Sequence, residues 1–219
     1  MITNNYKIRR GIPAKRPELH YNTAVFTGQI ESAGATFSKP GIPTMTSSPF
    51  HAGELDAQQR WGNPELWTEA RIAQLIWDSI PEQFHSRIEA APFFFLATSH
   101  PDGRCDCSFK GGGPDLVKVL DSKRLAFPHF EARVKGNGAY MSLGNILLNP
   151  YVSMLFIDFS DGARLRVNGK ASIHENAEMM APFPQAECVV VVDIELVAPS
   201  CPAYVPRLIP AESLQGNTK

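Results

Sequence analysis

Arg164, Arg166 and Asn168 take alternate places in the string Ala163-Arg-Leu-Arg-Val-Asn-Gly-Lys-Ala-Ser-Ile173, and Lys170 and Ser172 continue the row. The intervening Leu165, Val167, Ala171 and Ile173 are apolar. A period of two marks a strand with one buried and one polar face. Two guanidinium groups and an amide along that face suit an anionic ligand, because arginine pairs with carboxylate or phosphate through two parallel bonds. They suit a solvated face equally well. Cys105-x-Cys107 is a second candidate. Alternate residues on one strand face stand about 7 Å apart and point the same way, which is poor disulfide geometry. Zinc would need a second pair or histidines at ligand spacing, and neither is visible. Cys105, Cys107, Cys188 and Cys201 therefore read as reduced, structural thiols, and no metal site is expected. His51-x-x-Glu54 reads as a polar pair at a helix start.

Other catalytic signatures fail. Gly169-Lys170 is followed by Ala171, and Arg164 stands where a phosphate loop needs its first glycine. Gly111-Gly-Gly113 runs into Pro114 instead of opening a helix, so it is no dinucleotide fingerprint. The six histidines are dispersed.

The elements that must position these residues can be read from pattern and punctuation. The chain has 219 residues, 43% of them hydrophobic, enough for one domain with a real core. A net charge of -1 gives no reason to expect nucleic acid or an anionic membrane as partner. No stretch approaches the roughly 20 apolar residues that span a bilayer, and Met1 to Arg10 lacks an apolar signal core. A cytoplasmic protein is expected.

Residues 1–47 hold scattered proline and no sustained period, and read as an extended arm with one short strand near Asn22–Phe26. Residues 48–91 read as a helical region packed on the strands of residues 92–205. One helix opens at Ser48-Pro49 and ends at Gly62. A second runs from about Glu65 to Ser79, with Ile72, Leu75, Ile76 and Ile80 on one face. A third opens with a capping box at Ser79-Ile80-Pro81-Glu82 and stops at Pro92. Tryptophans 61, 67 and 77 fall in this region and read as core, with a ligand cover or a partner surface as the alternative.

Residues 92–205 carry the strands. Phe93–Thr98 and Arg104–Lys110 form a hairpin around His100-Pro-Asp-Gly103. Arg124–Pro128 is a third strand, and a loop from His129 to Ala139 leads to two helical turns at Ser142–Leu148. Tyr151–Phe159, the alternating strand and Cys188–Val197 complete the set, with Ile194 and Leu196 expected to face inward. Residues 206–219 read as an irregular tail. The fold class is therefore mainly β with flanking helices (α+β), a six-stranded antiparallel barrel.

Several strings then resemble a known group: Pro92–Gly103, Cys105–Lys110, Ser142-Leu-Gly-Asn-Ile-Leu-Leu-Asn-Pro150 and Arg164-Leu-Arg-Val-Asn-Gly169. They look like the FMN-binding split barrel of the pyridoxamine 5'-phosphate oxidase-like family, over about residues 50 to 205. The resemblance implies FMN held between two subunits of a homodimer. It implies that Cys107, Ser108, Phe109 and Lys110 line the flavin from the second strand, and Phe127 and Pro128 from the third. Met141 and Ser142 would meet the phosphate at the start of the short helix, which also carries Asn145. Arg164 would contact the cofactor from the fifth strand, with Arg166 beside it.

A helix start with unpaired N–H groups suits a phosphate dianion. The basic pair that the family usually has there is replaced by Met141 and Ser142, and Arg133 and Lys135 lie upstream. The Arg-Leu-His string that binds substrate in the vitamin B6 oxidases has no counterpart in Tyr204-Val-Pro-Arg-Leu208. The resemblance thus implies the cofactor without that substrate. The expected function is an FMN-dependent oxidoreductase acting on an unidentified small molecule or NAD(P)H. A flavin-storing or redox-sensing protein without turnover, or a barrel binding haem or a deazaflavin, stands as the alternative. No general base is assigned; His100 and His129, both expected on loops, are the nearest histidines.

Overall fold

Phe94 and Leu96 point into the core from a strand whose intervening residues Phe93 and Phe95 are only half-buried, which is the alternation that one packed face requires. The computed structural model describes residues 48–130 and 138–208. Among them β1 (Phe93–Ser99), β2 (Cys105–Gly111), β3 (Lys118–Asp121), β4 (Arg124–Phe130), β5 (Tyr151–Ile157), β6 (Arg164–His174) and β7 (Ala186–Ser200) form one seven-stranded sheet in the order β2-β1-β5-β6-β7-β4-β3. Every neighbouring pair is antiparallel.

The sheet curls until its two halves share a core. Phe94 of β1 packs edge-on against Phe127 of β4 at 5.1 Å, although β5, β6 and β7 stand between those strands. Leu96, Met154, Phe156, Val167, Leu125, Val190 and Val192 join the same cluster. The curl leaves β2 and β3 as the two ends of the sheet, and the opening between those ends is the split.

Six strands were expected and seven are found. The missed one, β3, is four residues long, and its Asp121 pairs with Arg124 across a two-residue turn. Val117 and Val119 alternate with Lys118 and Leu120, a signal too short to stand out beside the turn residues that flank it. The last strand also differs in register. Ile194 faces the core as expected, but Val197 takes the next core position instead of Leu196. A bulge opposite Asn168 and Gly169 inserts the extra residue that flips the alternation.

The helices are shorter than expected. α1 (Ala52–Trp61) is capped by His51, not Ser48: the His51 ring accepts from Glu54 N–H, and the Glu54 carboxylate accepts from His51 N–H. That is a capping box, in keeping with a polar pair at a helix start. The predicted Glu65–Ser79 helix breaks in two. Pro64–Leu66 is a 3-10 turn, and Thr68 caps a fresh helix α2 (Glu69–Leu75). The chain is extended at Ile76 because Trp77 pairs with Val197 of β7 through two backbone bonds of 3.0 and 2.7 Å. Glu82–Phe84 is again a 3-10 turn, with no side-chain cap at Pro81, and α3 (His85–Ala90) comes next. Trp77 packs against the core, whereas Trp61 is 82% exposed. Ile80, Phe84 and Ile88 fill the core from this side.

α4 (Met141–Leu148) lies against β1, and α5 (Ala177–Met180) precedes β7. At the C-terminal side, Leu208 N–H donates to Phe159 O at 3.0 Å. No helix among the described residues is long and apolar enough to cross a membrane. The expected arm at residues 1–47, with its short strand, lies outside the described residues, as do Arg133 and Lys135.

Candidate functional site

The inward face of β2 is polar where an ordinary core strand would be apolar. Asp106, Ser108 and Lys110 alternate along it, half-buried, while Cys105, Cys107 and Phe109 face out. β2 is an end strand, so these three side chains open onto the split instead of a packed interior. Across the split stand the start of α4 and the end of β4. Together they form a cavity of about 400 Å³ lined by Asp106, Ser108, Lys110, His129, Tyr140 and Ser142 among the polar residues. Leu116, Pro128, Phe130, Met141 and Leu143 supply apolar walls, and Phe109 reaches the rim.

α4 is set in place by two amides. Asn145 Nδ2 donates to Thr98 Oγ1 and Asn149 Nδ2 to Ser99 Oγ, each at 3.0 Å, which ties the helix to β1. Thr98 is buried, so replacing Asn145 with leucine strands its hydroxyl. Asn145→Leu is expected to cost about 1–3 kcal/mol of stability, read as a lowered urea midpoint.

The helix begins abruptly. Tyr140 holds its N-cap with φ 50 and ψ 27, a left-handed conformation uncommon for a residue with a Cβ. Its hydroxyl donates to Glu187 Oε2 at 3.1 Å, and its ring lies 5.2 Å from that of His129. The first intrahelical bond runs from Gly144 N to Tyr140 O at 2.8 Å, and no side chain caps the turn. The N–H groups of Met141, Ser142 and Leu143 thus precede the helical ladder. Ser142 is not the cap; it sits one residue inside the helix with a buried side chain.

The Ser142 hydroxyl is the hub of the polar cluster. Lys110 Nζ donates to it at 3.3 Å, it donates to Asp106 Oδ2 at 3.2 Å, and Ser108 Oγ lies 2.9 Å away. Burial pushes the Lys110 ammonium below its ordinary range, and the Asp106 carboxylate opposes that. His129 is likewise pushed down, by burial first and then by Lys110, with Glu187 acting the other way. Its Nε2 is buried and has no hydrogen-bond partner among the described residues. His129 thus places an enclosed, unsatisfied ring nitrogen in the cavity wall near the Lys110 cation.

Of the residues singled out from sequence, the structure gathers Ser108, Phe109, Lys110, Pro128, Met141 and Ser142 around this cavity. Cys107 projects from the outer face of β2, and Phe127 is in the core beside Phe94. Asn145 faces β1. Arg164 donates to Cys201 O in the tail, its Nε buried and without a partner among the described residues, and Arg166 is exposed on the outer face of β6. None of these five lines the cavity. His129, expected on a loop, lies on β4 within it, whereas His100 pairs with Asp102 in the β1–β2 turn at 2.7 Å. Sequence reasoning missed Asp106, Tyr140 and Glu187. Asp106 was legible in principle, since it shares the period of two with Ser108 and Lys110. All four cysteines are free, and burial pushes the Cys188 thiol up to about 11.

Residues 80–195 match the family model described as pyridoxamine 5'-phosphate oxidase. The chain belongs to that family. The match covers β1 to β6, most of β7 and the helix that borders the cavity. Among solved structures, HupZ of Group A Streptococcus is similar at 16% identity, over 55% of this chain and 99% of that one, with a TM-score of 0.45. A pyridoxamine 5'-phosphate oxidase candidate from Lactobacillus delbrueckii is 25% identical over 55% of this chain and 94% of its own, with a TM-score of 0.43. An FMN-binding protein of Syntrophomonas wolfei is 11% identical over 68% of this chain and 98% of its own, also at 0.43. No curated protein matches the chain.

Proposed function

We propose that this family member is an FMN-dependent oxidoreductase that holds the flavin in the split of the barrel. The observation that carries the reading is the meeting of Lys110, Ser108 and Ser142 with an uncapped helix start in one cavity of about 400 Å³. That volume lies within the range of small-molecule and cofactor sites. The residues present fit a flavin. Leu116, Pro128 and Phe130 offer apolar walls to a ring, with His129 beside them. The N–H groups that open α4, with Lys110, suit a phosphate. Bound there, the flavin would supply hydride or electron transfer, while the chain orients it and excludes water.

The dimer is part of this reading. Phe109 and Met141 border the cavity yet are 61% and 60% exposed. Phe93 stacks on Phe109 at 5.2 Å and on Phe159 at 6.1 Å, which makes an aromatic strip on the outer sheet face. A second copy seated on that strip would bury it. It would also give Arg164 and Arg166, which lie on the outer face and not in their own cavity, a route to the partner's flavin.

The test is the visible spectrum of the purified protein, followed by denaturation and identification of what is released. FMN is expected in the supernatant, and Lys110→Ala is expected to lower its occupancy about tenfold, the worth of one charge-assisted bond. Colourless protein that fails to take up added FMN would overturn the cofactor assignment. Reduction by NADH or NADPH with reoxidation by oxygen then separates a turning-over enzyme from a flavin store.

A further inference from the structure

The Ser142 hydroxyl at the centre of the polar cluster is saturated by its neighbours, and that bears on the ligand the cavity accepts. A serine hydroxyl has one proton and two lone pairs. Ser142 gives its proton to Asp106 Oδ2 and accepts from Lys110 Nζ, and with Ser108 as donor its second lone pair is also used. Asp106 is therefore a built-in anion. It takes up the hydroxyl that an incoming phosphate would need and offsets the charge of Lys110.

A phosphate dianion entering here meets a carboxylate. A ligand ending in a hydroxyl meets an acceptor to which it can donate. We infer that Asp106 sets the headgroup selectivity of the cavity, holding it open to flavins with and without a phosphate. The inference rests on the flavin reading and refines it: wild-type protein binds FMN and riboflavin with affinities within about tenfold of each other. Losing the carboxylate frees Ser142 and Lys110 together and makes the cavity phosphate-selective.

Two measurements test this. Quenching of flavin fluorescence gives the affinities of FMN and riboflavin for wild type and Asp106→Asn. The riboflavin-to-FMN ratio of dissociation constants is expected to rise about tenfold or more in the variant. Separately, melting temperature is followed with inorganic phosphate against chloride at matched ionic strength. Phosphate is expected to stabilise Asp106→Asn, and to leave wild type and Lys110→Ala unmoved.

A wild type that prefers FMN by a hundredfold, or a variant indistinguishable from wild type in both measurements, overturns the role of Asp106. If neither flavin binds while phosphate still separates the variant from wild type, the role of Asp106 stands and the flavin reading falls.

Discussion

Gly169→Ala is expected to lower the stability of the fold sharply while still allowing it to form. A Cβ at this position would overlap the carbonyl oxygen of Asp193 and press on Val192. Neither neighbour can retreat. β7 is hydrogen-bonded on both sides here, with Asp193 opposite Lys170 of β6 and opposite Arg124 of β4. Alanine in an unconstrained strand would stabilise by about 0.4–1 kcal/mol through the unfolded chain. The clash reverses the sign, and the expected loss is about 3 kcal/mol, the upper end of what overpacking costs. A urea titration checks it: the midpoint falls while the slope holds. An unchanged or raised midpoint would mean that the bulge does not bring the two strands this close.

Phe109→Glu is expected to abolish the proposed dimer and the proposed flavin binding together. Its ring is 61% exposed in a single chain, stacks on Phe93 and reaches the cavity rim. If a second copy covers that strip, a carboxylate placed there is buried unpaired, at about 3 kcal/mol or more. That weakens association at least about a hundredfold. Size-exclusion chromatography with light scattering reports the mass, and the ratio of visible to ultraviolet absorbance reports the flavin. The fold of one chain should survive, because Phe109 lies outside the core cluster. A monomer that keeps its flavin would sever the cofactor from the interface.

The sequence was most legible where one local rule decides the outcome. The period of two at Arg164–Ile173 and the turn at His100–Gly103 need only the pleat and turn chemistry, and both strands are found. It was least legible where distant contacts override local preference. Ile76 continues a helical stripe, yet the bond from Trp77 to Val197 pulls the chain into an extended form. Leu196 fits the alternation, yet the bulge beside Gly169 gives its place to Val197. The candidate site divides in the same way. Lys110 and Ser142 were found through strings that resemble a family. Asp106 went unnoticed because a single acid on a strand carries no motif, and its meaning appears only when α4 brings Ser142 within 3.2 Å.

The two end strands have a further consequence. An unpaired strand edge is a template on which another chain can add, and natural sheets guard against this with short edges and inward-pointing charges. β3 is only four residues long and begins with Lys118 tied to Asp115 at 2.6 Å. β2 is longer but turns Asp106 and Lys110 toward the split. The charges that shape the cavity thus also discourage edge-to-edge growth into fibrils. Neutralising both to make a greasier pocket would strip that protection from the edge, and the gain in ligand contact would come with a protein prone to aggregate.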